Sequence, residues 1–78
     1  MPRPNPRPVQ LRYRNLLLET TAEETAVGEW SASFAVFTQD RKTLVYWMPS
    51  LFRAFGTERE AERAGHMAGV DFIKQIDD

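Results

Sequence analysis

The stretch from 57 to 76 limits the fold more than any other part of the chain. Thr57-Glu58-Arg59-Glu60 has the form of a capping box. In such a box the Thr57 hydroxyl accepts from the Glu60 amide and the Glu60 carboxylate reaches back to the Thr57 amide. Glu58, Glu60 and Glu62 crowd the positive end of the helix dipole, where carboxylates are favoured. Behind them Ala61, Gly65, Ala68, Phe72 and Ile76 recur at helical spacing, flanked by Ala64 and Ile73. The spacing predicts a helix over 58–76, about 28 Å long, with one apolar stripe. The stripe is small at its start and large at its end. Gly65 and Gly69 each cost about 1 kcal/mol against Ala in an exposed helix, so close approach to a large aromatic, Trp30 or Trp47, is the expected reason for them.

A helix with one stripe needs a surface to lie on, and the only candidates are strands. Residues 29–38 alternate cleanly: Trp30, Ala32, Phe34 and Val36 against Ser31, Ser33, Ala35 and Phe37. Residues 39–42 form a polar turn, and 43–48 form the next strand, stopped by Pro49. Residues 13–21 give a first strand whose inward face is blurred by Leu16, Leu17 and Leu18. Residues 20–28 then read as an acidic turn region ending at Gly28. The expected fold class is α+β: a three-stranded antiparallel sheet (β-β-β-α) with one C-terminal helix packed on one face. It forms a single domain over 10–78. Residues 1–9, with Pro2, Pro4, Pro6 and Pro8, are expected to be a disordered Pro/Arg-rich tail.

A four-residue turn at 39–42 pairs Val36 with Val45 and Phe34 with Trp47 on one face. On the other it pairs Phe37 with Leu44, Ala35 with Tyr46 and Ser33 with Met48. Both faces are then apolar, and the helix covers only one, assigned here to Phe34, Val36, Val45 and Trp47. The face of Phe37, Leu44, Tyr46 and Met48 needs other cover. Leu51 and Phe52 could fold back over it, or a second copy of the chain, another protein or a ligand could occupy it. A charge placed at Phe37 or Tyr46 is expected to break a dimer formed there.

Size adds weight to the partner option. Seventy-eight residues bury only about 60% of their unfolded surface, so such domains are marginal unless helped. The chain has no cysteine, which removes disulfides and thiolate metal sites and fits a reducing cytoplasm. No apolar run has the length of a membrane helix or a signal sequence, so no membrane partner is expected.

Catalytic chemistry has little to work with. His66 is the single histidine and falls well round the helix from the apolar stripe. Ser31, Ser33 and Ser50 have no evident base or orienting group. Glu58 and Glu62 are capping charges, and glycines 28, 56, 65 and 69 match no phosphate loop. No cofactor, metal or catalytic residue is expected, and the chain reads as a non-enzyme.

Charge is uneven. The first fourteen residues carry Arg3, Arg7, Arg12 and Arg14 and no acid, while the remaining 64 carry six basic and eleven acidic residues. That arm offers a second reading, nucleic-acid binding through Arg3, Arg7, Arg12 and Arg14. Against it, the body as a whole is acidic, the opposite of the usual footprint.

Gly28-Glu29-Trp30-Ser31-Ala32, followed by Phe55-Gly56-Thr57-Glu58-Arg59-Glu60-Ala61-Glu62-Arg63-Ala64, resembles the strand opening and helix entry of the AP2 and integrase N-terminal type. It also looks like small bacterial domains with the same helix entry. The resemblance spans residues 28–64 and implies a three-stranded sheet with a helix on one face. In that family arginines and tryptophans on the sheet read the DNA major groove. The matching face here, Ser31, Ser33, Ala35 and Phe37 with Leu44, Tyr46 and Met48, carries no cation. The leading expectation is therefore a non-catalytic protein-interaction module that self-associates through the open sheet face, and nucleic-acid binding is the alternative.

Overall fold

The computed structural model describes residues 8–51 and 53–76. Four strands form one antiparallel sheet in the order β1-β2-β3-β4, followed by a single helix. They are β1 (Val9–Tyr13), β2 (Leu16–Ala26), β3 (Glu29–Thr38), β4 (Leu44–Met48) and α1 (Glu58–Ile76). The α+β class and the single helix packed on one face are as expected; the three-stranded count is corrected to four.

The extra strand comes from a turn at Arg14-Asn15. Both residues have positive φ, 49° and 64°, and Tyr13 pairs directly with Leu16 across them. A two-residue turn with both φ positive matches the right-handed twist of the flanking strands, and Asn enters that region readily. The chain therefore doubles back where one continuous strand was expected. Strand β1 also begins inside the expected tail, at Val9; residues 1–7 of that tail lie outside the described residues.

Most of the expected acidic turn at 20–28 is strand as well. Thr20 and Ala22 are buried beneath the helix, and β2 reverses only at Val27-Gly28, where Gly28 takes φ 76°. A bulge between Glu24 and Ala26 marks the approach to that turn.

The hairpin of β3 and β4 keeps the expected register only next to its tip. Phe37 pairs with Leu44, but then Val36 pairs with Tyr46, Ala35 with Trp47 and Phe34 with Met48. The bulge inserts Val45 as an unpaired residue. Since side chains alternate along a strand, one inserted residue exchanges the faces of all that follow. The assignments of Tyr46, Met48, Val45 and Trp47 are corrected accordingly. Tyr46 and Met48 pack with the core under the helix, and Tyr46 stacks on Phe72 with centroids 4.2 Å apart. Trp47 projects from the opposite face and is 61% exposed.

Helix α1 opens as the box predicts in its forward half: the Glu60 amide donates to Thr57 Oγ1 at 3.1 Å. Its buried line is Ala61, Gly65, Gly69 and Ile73, where the stripe of Ala61, Gly65, Ala68, Phe72 and Ile76 was expected. Residues four apart drift slowly round a helix, so this line is oblique to its axis. Ala68 and Phe72 flank it half-buried, and Ile76 is exposed.

The glycines let the helix sit close, but not on tryptophan. A Cβ at Gly65 would stand 2.6 Å from Thr20 Cγ2 and 3.3 Å from the Ser33 carbonyl oxygen; one at Gly69 would run into the Leu18 side chain. Two cores result. Leu18, Phe34, Val36 and Ile73 fill one end, and Ala22, Ala32 and Ala61 fill the other, closed by Trp30, Leu51 and Phe55.

Thr20 pays a penalty in this close fit. It is 1% exposed, and its hydroxyl has no hydrogen-bond partner among the described residues. Thr20→Val keeps the shape and removes the stranded group, so it should raise stability by about 1 kcal/mol. Urea unfolding at neutral pH measures this; a loss of stability would mean the hydroxyl is satisfied.

The connection after β4 runs back along β3. The Leu51 amide donates to the Ala32 carbonyl at 3.0 Å, and Trp30 and Phe55 exchange two backbone bonds of 2.8 and 2.9 Å. Leu51 packs into both cores on the helix side, so it does not cover the open face. Phe52 lies outside the described residues.

Candidate functional site

The face of the sheet turned away from the helix is built by strand alternation and cross-strand register. One row across it holds Gln10, Glu19, Ala35 and Trp47; the next holds Arg12, Leu17, Phe37 and Leu44. Further along come Thr21 opposite Ser33 and Glu23 opposite Ser31. The face thus has an aromatic and aliphatic half near the β3–β4 tip and a polar half near the β2–β3 turn.

In the first half the exposed apolar side chains are Trp47, Leu44 at 52% and, at the bulge, Val45 at 42%. Leu17 belongs to this face yet is buried. With Gln10, Arg12, Gln39, Asp40 and Arg41 it lines a shallow depression. The consecutive leucines 16–18 are thereby resolved: Leu18 enters the core under the helix, while Leu17 is covered from the other side.

Glu19 is the unexpected member. It is 6% exposed and lies beneath Arg41, whose Nε donates to Oε2 and whose Nη2 donates to Oε1 at 3.4 Å. Gln10 Nε2 donates to Oε2 at 3.3 Å. A carboxylate this buried needs such partners. The Glu19 partnership holds the Arg41 guanidinium above its ordinary pKa, chiefly through the hydrogen bond and then through charge. The same guanidinium lies 5.4 Å from the Phe37 ring centroid, in cation–π range.

Arg41 reaches Glu19 because the tip bends it there. Its φ is 61°, its amide donates to the Thr38 carbonyl at 2.8 Å, and Asp40 braces the turn. Asp40 Oδ1 accepts from the Thr38 hydroxyl at 2.6 Å and from the Lys42 amide at 3.0 Å. Those two bonds, the hydroxyl's first, hold the Asp40 carboxyl below its usual pKa.

Of the four expected interface residues, Phe37 and Leu44 lie together on this face and Tyr46 and Met48 do not. Trp47, Val45, Leu17 and the Glu19–Arg41 pair replace them. The expected basic arm is divided: Arg12 stands on the open face opposite Leu17, Arg14 sits in the β1–β2 turn with its guanidinium 5.5 Å from the Tyr13 ring centroid, and Arg3 and Arg7 lie outside the described residues. Ser31 and Ser33 donate to the carbonyls of Glu23 and Thr21. His66 is on the helix, across the sheet from them. Among the described residues no group of three His, Cys, Asp or Glu is placed to hold a metal ion, and no helix is long and apolar enough to cross a membrane. Comparisons with protein-family models, curated proteins and solved structures found no match.

Proposed function

We propose that this domain is a non-catalytic protein-interaction module that self-associates through the open face of its sheet. The observation that carries the reading is Trp47: a tryptophan at 61% exposure, on the same face as Leu44 and Phe37, with Arg41 over the Phe37 ring. Trp and Arg are the residues that most often dominate binding energy at interfaces, and a clustered apolar patch on a small protein marks a binding surface. A net charge of −1 leaves little self-repulsion against a second copy.

The alternative, nucleic-acid binding through Arg3, Arg7, Arg12 and Arg14, has less support. On the open face the Arg41 charge is already met by Glu19, and phosphate binding depends on available cations.

Light scattering after gel filtration, over a series of loading concentrations, tests the proposal. The expected mass rises from the 9.0 kDa of one chain toward twice that value. A monomer persisting to about 1 mM, the range of the weakest specific association, would overturn it. Monomeric behaviour together with salt-sensitive binding to DNA or RNA would establish the alternative instead.

A further inference from the structure

Strand β1 is shorter than the strand it lies on. Among the described residues it stops at Val9, opposite Thr20, while β2 runs on to Ala26. Beyond Thr20 the edge of β2 therefore has no described strand beside it, although Ala22 there is buried. The phase of that edge follows from the β1–β2 turn. A two-residue turn closes on a pair that exchanges both backbone bonds, and such pairs recur at every second position. Tyr13 with Leu16 is the closing pair, so Leu11 with Leu18 and Val9 with Thr20 are of the same kind. Gln10 and Arg12, between them, turn N–H and C=O outward, away from β2.

The same phase carried back along the chain puts Arg7, Asn5 and Arg3 at positions whose backbone faces β2. It puts Pro8, Pro6, Pro4 and Pro2 at positions whose backbone faces outward. Proline in a sheet is confined to edge strands, with its nitrogen turned to solvent, and in this phase all four prolines meet that condition. In the other phase none would. Each proline also biases the residue before it toward extended backbone, which lowers the ordering cost of a strand through Arg3, Asn5 and Arg7.

Charge agrees with the phase. Residues 1–7 carry Arg3 and Arg7 and no acid, while residues 20–30 carry Glu23, Glu24 and Glu29 and no cation. The helix adds an acid on the same side. Ala61 packs over Ala22. Phe72, one residue before buried Ile73, reaches Tyr46 on β4. Each residue is a step of about 100° round the helix, so the residue after a buried position is turned the other way, toward the β1 edge. Glu62, after Ala61, is half-buried there, level with Ala22.

We propose that residues 3–7 continue β1 along the edge of β2 beyond Thr20, with Pro8, Arg7, Pro6 and Asn5 opposite Thr21, Ala22, Glu23 and Glu24. Arg7 is then set toward Glu62. The occupant of this edge is thus the chain's own N-terminal segment. Its prolines leave the new outer edge without donors, so no further strand adds there, and Arg7 is committed to the acidic end of the domain. The proposal stands on the sheet register and not on self-association, so a protein that stays monomeric leaves it intact.

NMR on the full chain tests it. In pairs that exchange no backbone bonds the α-hydrogens lie close. Nuclear Overhauser contacts are therefore expected between the α-hydrogens of Pro8 and Thr21, and of Pro6 and Glu23. The Ala22 and Glu24 amides, which face the added strand, should exchange with solvent at least roughly tenfold more slowly than in a free peptide. Arg7→Pro removes an inward donor and should speed exchange at Ala22 about tenfold, whereas Pro6→Ala restores only an outward donor and should leave it unchanged. Arg7→Glu should also speed it, and adding Glu62→Arg should reverse that. Absent contacts in the wild type, with both amides exchanging at free-peptide rates, overturn the added strand. Equal effects of Arg7→Pro and Pro6→Ala overturn its phase, and failure of Glu62→Arg to rescue Arg7→Glu overturns the placement of Arg7.

Discussion

Tyr46→Glu should unfold the domain, while Trp47→Glu, one residue along, should leave it folded. Tyr46 lies between Phe34 and Phe72, with ring centroids 5.9 and 4.2 Å away. Replacing it removes two ring partners and brings a carboxylate against an apolar core. Aromatic truncation alone costs about 3–5 kcal/mol, and an unpaired charge adds to that. Against a total stability of about 5–15 kcal/mol, most of the fold is lost. Trp47 points the other way and is mostly in solvent, so its replacement should change stability by about 1 kcal/mol or less and abolish self-association. Thermal unfolding followed by circular dichroism, with light scattering, separates the two effects. If Trp47→Glu unfolds the chain and Tyr46→Glu does not, the bulge at Val45 is wrong and β4 has the simpler register.

The second large effect lies where helix and sheet touch. A Cβ at Gly69 would overlap Leu18 Cδ1 and stand 2.9 and 3.1 Å from Cδ2 and Cγ. Leu18 is fully buried, so it has nowhere to swing. Gly69→Ala gains about 1 kcal/mol of helix propensity but overpacks the contact by about 1–3 kcal/mol, and a net loss is expected. Leu18→Ala opens a cavity at a cost of about 2–5 kcal/mol. The double variant places the new methyl in the new space. Its destabilisation should therefore fall short of the sum of the two single losses by about 1 kcal/mol or more, as expected for residues in contact. Urea denaturation of the four proteins closes the cycle. Additive losses would mean that the helix does not sit on Leu18.

The parts of the fold that could be read from the sequence are those fixed by neighbours a few residues away. The helix announced itself through Thr57, Glu60 and an apolar spacing, and β3 through unbroken alternation from Trp30 to Phe37. The first hairpin was hidden because Arg14-Asn15 contains no glycine, and Asn alone is a weak turn signal. The second half of β2 was hidden because Thr, Glu and Ala look like loop. Thr20 and Ala22 become interior only when Gly65 and Ala61 are laid over them, 45 and 39 residues later.

The candidate site follows the same division. Phe37 and Leu44 were legible because their pairing depends on the tip alone. Trp47 and Tyr46 were exchanged because the bulge at Val45 is set by tertiary packing: it lets Tyr46 reach Phe72. The Glu19–Arg41 pair spans 22 residues and depends on a register and a positive φ at Arg41, neither of which local sequence states.

Val45 also has a genetic consequence. A bulge is, in effect, an insertion that the strand has kept. Losing that one codon would leave Leu44, Tyr46, Trp47 and Met48 in simple alternation opposite Phe37, Val36, Ala35 and Phe34, each on the face it holds now, with only the bulge removed. The two faces of β4 would thus survive a single in-frame loss, whereas a strand that kept Val45 without the bulge would exchange them. At this position, tolerance of a one-residue deletion measures what the bulge itself contributes, since the cross-strand pairs on either side of it are kept.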